Sequence, residues 1–290
     1  MGRLVDIGDT RLYVDERGAD DAFPLLVFHG GPGLDHHEFG DYLDPLADDG
    51  RYRLVLVDER GQGQSDRSGP PETWTLEQMA EDVSLLADAL GIRERYATFG
   101  HSYGAFVTLL HAVRHPGEPR GSILCGGVAN VKWLHGVEAA LASYEPVELR
   151  EQVAQSWARE ESVQTEEDAE RLWVEQMPFH FKEPRGDIIE DYARRSSGGR
   201  YAPDVLRLFA TSDYGGIDVL DRLPQVSHPM LVLSGRYDRV CPAAAGEEMA
   251  AALPDAELVV FEESAHMMFA EEPERFLSVV RRFLDRVSNG

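Results

Sequence analysis

Cysteine and lysine are almost missing from this chain. Its two cysteines, Cys125 and Cys241, are too few for a disulfide framework. Cys125 lies in the apolar run SILCGG and reads as a small buried hydrophobe. A reducing, cytoplasmic setting is therefore expected. The lysines are Lys132 and Lys182 alone, so the 28 basic residues are nearly all arginine; against 52 acidic ones they leave a net charge of −24. A surface this acidic repels nucleic acid and anionic membranes, so neither is an expected partner. No run of Lys and Arg offers a local exception. No apolar stretch approaches the ~18 residues that suggest a bilayer span. The opening MGRLVDIGDTRLYVDERG has no apolar segment of a secretory signal. It also places Asp6 where a myristoylation signal wants Ser or Thr. His36, His37, His115 and His228 read as surface imidazoles without metal-type companions. No metal and no cofactor is expected.

What is present is a large apolar fraction, 43% of 290 residues, enough for one substantial core. Short apolar, β-branched runs recur at 24–30, 52–58, 96–100, 121–127, 229–235 and 256–264. Several are apolar on both faces, the pattern of central parallel strands covered on two sides. Helical periodicity lies between them. In TLEQMAEDVSLLADALG the apolar residues Leu76, Met79, Val83, Leu86 and Leu90 are three or four apart, with Thr75 as cap. PERFLSVVRRFLDRV repeats the style, with Pro273 in its first turn. The opening stretch reads as an antiparallel hairpin at one edge. The alternation predicts an α/β fold with a mostly parallel twisted sheet flanked by helices. It breaks between about Asn130 and Asp218, where Glu, Arg, Trp and Tyr dominate and strand runs vanish. The expected organisation is a core of residues 1–129 and 219–290, with a helical cap insertion at 130–218.

The chemistry gathers at strand ends. Gly100-His101-Ser102-Tyr103-Gly104 is a G-x-S-x-G pattern between a strand run and a helical one. A sharp turn there would push the Ser102 hydroxyl out of the sheet edge, and the flanking positions must be small. A serine hydroxyl needs a base. Asp238 and His266 each follow a later strand run, giving the chain order Ser, Asp, His of the nucleophile-elbow hydrolases. For the oxyanion, the backbone N–H of Tyr103 is one expected donor. Gly30 or Gly31, in the loop His29-Gly30-Gly31-Pro32-Gly33, is the second.

HGGPG, VDERGQGQSDR, GHSYG, SGRYDRVCP and SAHMMFAEEP together resemble the α/β-hydrolase superfamily along almost the whole chain. HGGPG followed by D-x-R-G-x-G-x-S is similar to its proline iminopeptidase branch. That resemblance implies a helical cap over the site and hydrolysis of an N-terminal residue from a peptide or amide. It also implies cap glutamates that hold the substrate's ammonium; by placement Glu183, in MPFHFKEPRGD, is the candidate. A second glutamate is missing from VLRLFATSDYGG, where only Asp204 and Asp213 are near, and the elbow is GHSYG rather than a GGSWG-like form. Trp133, Trp157 and Phe179 are the aromatic candidates for the pocket wall. The expected substrate is a small molecule or short aminoacyl peptide, with an esterase or lactonase as the alternative activity. A binding protein without chemistry commonly lacks a triad member, and here all three candidates are present.

Overall fold

The computed structural model describes residues 2–289. Among these, eight strands form one sheet: β1 (Arg3–Asp6), β2 (Arg11–Arg17), β3 (Phe23–Phe28), β4 (Tyr52–Asp58), β5 (Ala97–His101), β6 (Ser122–Cys125), β7 (Met230–Gly235) and β8 (Ala256–Phe261). Their spatial order is β1-β2-β4-β3-β5-β6-β7-β8. The β1–β2 hairpin pairs antiparallel with itself and with β4, and β3 to β8 run parallel. Each of the six apolar runs has become a parallel strand.

Helices α1 (Leu76–Ala89) and α2 (Tyr103–Arg114) connect strands in the first half. The Thr75 hydroxyl caps α1 by accepting the Gln78 amide at 3.1 Å. After β6 the chain leaves the sheet for α3 (Val137–Ala142), α4 (Val147–Glu160), α5 (Glu166–His180), α6 (Asp187–Arg195) and α7 (Pro203–Ala210). A short neck closes this excursion. There the Val131 amide donates to Ile217 O at 2.7 Å, Val219 to Ala129 O at 2.9 Å, and Asn130 Nδ2 to Asp218 Oδ1 at 2.7 Å. Helices α8 (Ala243–Ala252), α9 (Met268–Glu271) and α10 (Pro273–Ser288) complete the chain.

Successive strand side chains point to opposite faces. In β3 and β4, Leu26, Phe28, Val55 and Val57 feed the core shared with α1, α2 and α8, while Leu25, Val27, Leu54 and Leu56 feed the core shared with α9 and α10. A continuous apolar strand thus serves two layers, and burial of each such side chain contributes about 1.5–3 kcal/mol. The order also places the site. The chain goes from β3 to β4 on one side and then crosses back to β5 on the other, so a cleft opens where these strands end.

Candidate active site

Ser102 stands at the end of β5, with φ 53° and ψ −116°. For a non-glycine residue this is a strained conformation, costing about 1–3 kcal/mol and kept only where the surroundings enforce it. The surroundings are close. A Cβ on Gly104 would lie 2.4 Å from Phe28 O, and one on Gly100 would lie 2.0 Å from Gly104 O. Strand β5 therefore turns into α2 in the smallest possible space, and only glycine fits either position. The Ser102 hydroxyl does not cap α2. It lines a cavity of about 320 Å³ between the sheet edge and the cap.

Asp238 and His266 come to the same place from the loops after β7 and β8. His266 Nδ1 lies 2.7 Å from Asp238 Oδ2. The other carboxylate oxygen accepts the amides of Val240 at 2.8 Å and Cys241 at 2.9 Å, which fixes the carboxylate. With Nδ1–H donated to a carboxylate, neutral His266 carries its lone pair on Nε2. That atom is buried, has no partner among the described residues, and belongs to a ring that lines the Ser102 cavity. No hydrogen bond joins it to the serine in this conformation. Such contacts commonly tighten only when substrate binds.

The loop after β3 resolves the choice between two glycine amides. The Gly30 amide is taken by Glu38 Oε2 at 2.6 Å, so Gly30 is corrected as an oxyanion donor. The Gly33 amide goes to Gln62 Oε1 at 2.5 Å, and Pro32 has none. Gly31 remains: its amide has no partner among the described residues, and it lines the cavity. Tyr103, at the first position of α2, also has an amide without a partner among the described residues. The D-x-R-G-x-G-x-S stretch is the buttress of this loop. The buried Asp58 carboxylate accepts the amides of His36 at 2.9 Å and Gln64 at 2.7 Å. Arg60 forks onto Asp82 and Asp9 with four hydrogen bonds.

The cap residues differ from those expected. Glu183 is exposed in the turn after α5, Trp133 lies outside the neck with Nε1 donating to Glu248 at 2.8 Å, and neither lines the cavity. Phe179 is fully buried and does not line the cavity: it packs against Tyr144 and against Trp157, which does. Adjacent residues on a helix point about 100° apart, so His180 faces the cavity where Phe179 cannot. Asp204 and Asp213 pair with Arg207 and His135. Trp157 does line the cavity, as do Glu160, Gln176 and Tyr214. Glu160 is 4% exposed; it accepts Gln176 Nε2 at 2.6 Å and the Tyr214 hydroxyl. Burial pushes its carboxyl up to about 7, against the lowering effect of those two bonds. Its signal was in the periodicity. Leu149, Val153, Ser156 and Glu160 form one buried stripe on α4, spaced four, three and four apart. Burial lowers His180 to about 3, and its Nδ1 lies 3.1 Å from Gln176 O, so it is a neutral ring.

The remaining histidines also need correction. His36 is buried with Nδ1 2.6 Å from Asp58, and His228 is buried against Ser122 Oγ at 2.9 Å, because each satisfies a buried polar partner. His37 and His115 are half-buried, beside Asp35 and Glu81. The ligand atoms of Asp35, His36 and His37 lie within 4.8 Å of one another. Their hydrogen bonds to Asp58, Arg200 and each other account for the grouping. Among the described residues no helix is long and apolar enough to cross a membrane.

A strained serine between strand and helix, an Asp–His pair from later strand ends and a capping helical excursion define a class. The family model for the alpha/beta hydrolase fold matches residues 24–273, and this chain belongs to that family of hydrolases. Within it the chain is proline iminopeptidase-like. A proline iminopeptidase of Saccharolobus solfataricus is 26% identical over 275 residues, covering 91% of this chain and 85% of the relative. The crystal structure of a proline iminopeptidase from Mycobacterium smegmatis superimposes with a TM-score of 0.76 at 26% identity, covering 99% of both chains. A thermophilic esterase from Thermogutta terrifontis matches with a TM-score of 0.74 at 25% identity, again covering 99% of both.

Proposed function

We propose that this hydrolase is a serine enzyme that works through an acyl-enzyme and releases a small N-terminal aminoacyl group from an amide. The observation that carries this reading is the buried, unpartnered Nε2 of His266 on the cavity that Ser102 lines, its other nitrogen held by Asp238. Ser102 Oγ attacks the carbonyl carbon while His266 Nε2 takes its proton. Asp238 holds the ring and stabilises the imidazolium. The oxygen that becomes negative meets the Gly31 and Tyr103 amides, and loss of one such donor costs about 3 kcal/mol of transition-state stabilisation. His266 returns the proton to the leaving amine. Water then repeats the sequence on the ester and frees Ser102.

Glu160 supports the aminoacyl choice. It is the buried carboxyl on the cap side of the cavity, and a substrate ammonium would supply the partner its ionised form lacks. A second reading, a small-acyl esterase, is favoured by the apolar side chains of Phe106, Leu134, Leu172 and Leu206, which line the same cavity. We place the enzyme in the cytoplasm, a setting that suits its two free buried thiols, with a small molecule or short peptide as its partner.

Two measurements test this. A fluorophosphonate probe should label the wild type and not Ser102→Ala; equal labelling of both would sink the serine assignment. A panel of free-amine and N-acetylated aminoacyl nitroanilides, run beside simple acyl nitrophenyl esters, then decides specificity. Preference for the free amine is expected, and preference for the simple esters would overturn the aminopeptidase reading in favour of the esterase.

A further inference from the structure

In the sheet-side lining of the same cavity lies a second buried acid–histidine pair that the proposed chemistry does not use. Glu38, in the turn His36–Phe39, and His101, the last residue of β5, each have side chains 1% exposed. His101 Nδ1 is 2.9 Å from Glu38 Oε1, and His101 Nε2 is 3.0 Å from the backbone oxygen of His266. With an acceptor on each side both ring nitrogens donate, so this imidazole is the charged form. Burial opposes that charge, but the Glu38 charge and hydrogen bond hold His101 above its ordinary value. Burial likewise raises Glu38, and the opposing pull of His101 and the Gly30 amide brings it below.

The positions of the three contacts matter. Through Glu38 Oε2 the pair binds Gly30, the neighbour of Gly31. His101 is itself the neighbour of Ser102, and its Nε2 binds His266 directly. A Cβ on Gly30 would lie 2.6 Å from Glu38 Oε1 and 3.2 Å from His101 Nδ1, so Gly30 is glycine to admit this pair. A buried ion pair often stabilises a fold no better than apolar residues of the same volume would. What distinguishes this one is what it joins.

We propose that Glu38 and His101 form a positioning pair that fixes the Gly31 amide, the Ser102 hydroxyl and the His266 ring relative to one another. The inference rests on the serine-hydrolase reading above. The pair touches no reacting atom; it acts through the three loops it ties.

The test compares wild type, Glu38→Ala, Glu38→Gln and the double variant Glu38→Leu/His101→Leu. The rate of fluorophosphonate labelling, the thermal midpoint, and kcat and KM on any ester the wild type hydrolyses are measured. Glu38→Ala should label about 30- to 100-fold more slowly, as expected when an oxyanion donor is displaced. Its KM should stay within about threefold, because what is lost is transition-state geometry. Gln at position 38 can still accept the Gly30 amide and bond His101, so Glu38→Gln should recover to within about fivefold of wild type. The double variant removes both charges together and leaves only the Gly30 amide and the His266 carbonyl without this partner, so it should keep more of the thermal midpoint than Glu38→Ala and still label at least about 30-fold more slowly, which separates positioning from stability even if Glu38→Ala fails to fold. Wild-type labelling rates in the folded double variant would overturn the proposal. So would a Glu38→Gln as slow as Glu38→Ala. A wild type that the probe does not label refutes the serine reading itself, and the inference with it.

Discussion

Replacing Glu160 by Gln keeps the shape of the side chain and removes its ability to ionise. In the fold its carboxyl titrates at about 7, against an ordinary 4.5. Because the folded value is the higher one, the native state holds a proton that the unfolded chain has released between these two values. That contribution to stability is complete below about pH 4.5 and is lost as pH rises through 7. The rise from 4.5 to about 7 corresponds to about 3 kcal/mol. Gln retains its hydrogen bonds at every pH, since the Gln176 amide can turn to present its oxygen. The stability of Glu160→Gln relative to wild type should therefore improve by about 2–3 kcal/mol between pH 5 and pH 8.5, or about 5 °C in thermal midpoint. Glu59 and Glu271 are also pushed up to about 7 by burial, but they are present in both proteins and cancel in the difference. Thermal melts of the two proteins across this range check it. A gap independent of pH would refute the protonated Glu160. The same variant tests binding. Loss of a charge-assisted bond of about 1.5–3 kcal/mol should lower kcat/KM on free-amine substrates about 10- to 150-fold, and leave N-acetylated ones within about twofold. Equal losses on both would show that Glu160 does not hold the amine.

Three further substitutions probe the frame of the site. Asp238→Asn should lower kcat by about 10⁴-fold, because an amide facing Nδ1 favours the wrong tautomer of His266; steady-state turnover at unchanged thermal midpoint checks this, and a loss under tenfold would remove Asp238 from its role. Gly104→Ala puts a methyl 2.4 Å from Phe28 O and 2.5 Å from His29 O. Since backbone atoms cannot yield, it should destabilise by about 3 kcal/mol or more, read from the urea midpoint, and a wild-type midpoint would contradict the packing of the elbow. Arg60→Ala leaves Asp82, which is 3% exposed and takes two of the four Arg60 hydrogen bonds, without a cationic partner and with the Gln78 Nε2 bond at 3.0 Å remaining. The expected cost is about 3–5 kcal/mol in the same urea experiment, and a loss below about 1 kcal/mol would show that the Gln78 bond is enough to hold Asp82.

The strands, the elbow and the loops bearing Asp238 and His266 were legible because their signals are local. A short, β-branched run apolar on both faces and bounded by turn residues reads as a covered strand, and a serine between glycines at a strand–helix junction admits few backbones. The cap was legible as an excursion and opaque in its lining. Glu183 fits the resemblance by its place in the chain, but it follows α5 into an exposed turn. Glu160 lies on the buried stripe of α4, yet a carboxylate in a charged helix reads as solvated until its neighbours are known.

By itself, the order of residues determined the two-layered sheet, the turn that strains Ser102 and the chain order of serine, acid and histidine. All of these follow from side-chain periodicity and backbone sterics over a few residues. Only the tertiary structure decided which glycine amide stays free. That choice depends on Glu38, eight residues beyond Gly30, and on His101, sixty-three beyond Glu38, meeting in one buried place. It likewise decided which cap side chains face the cavity, since five short helices can present many faces and packing against the sheet edge selects one.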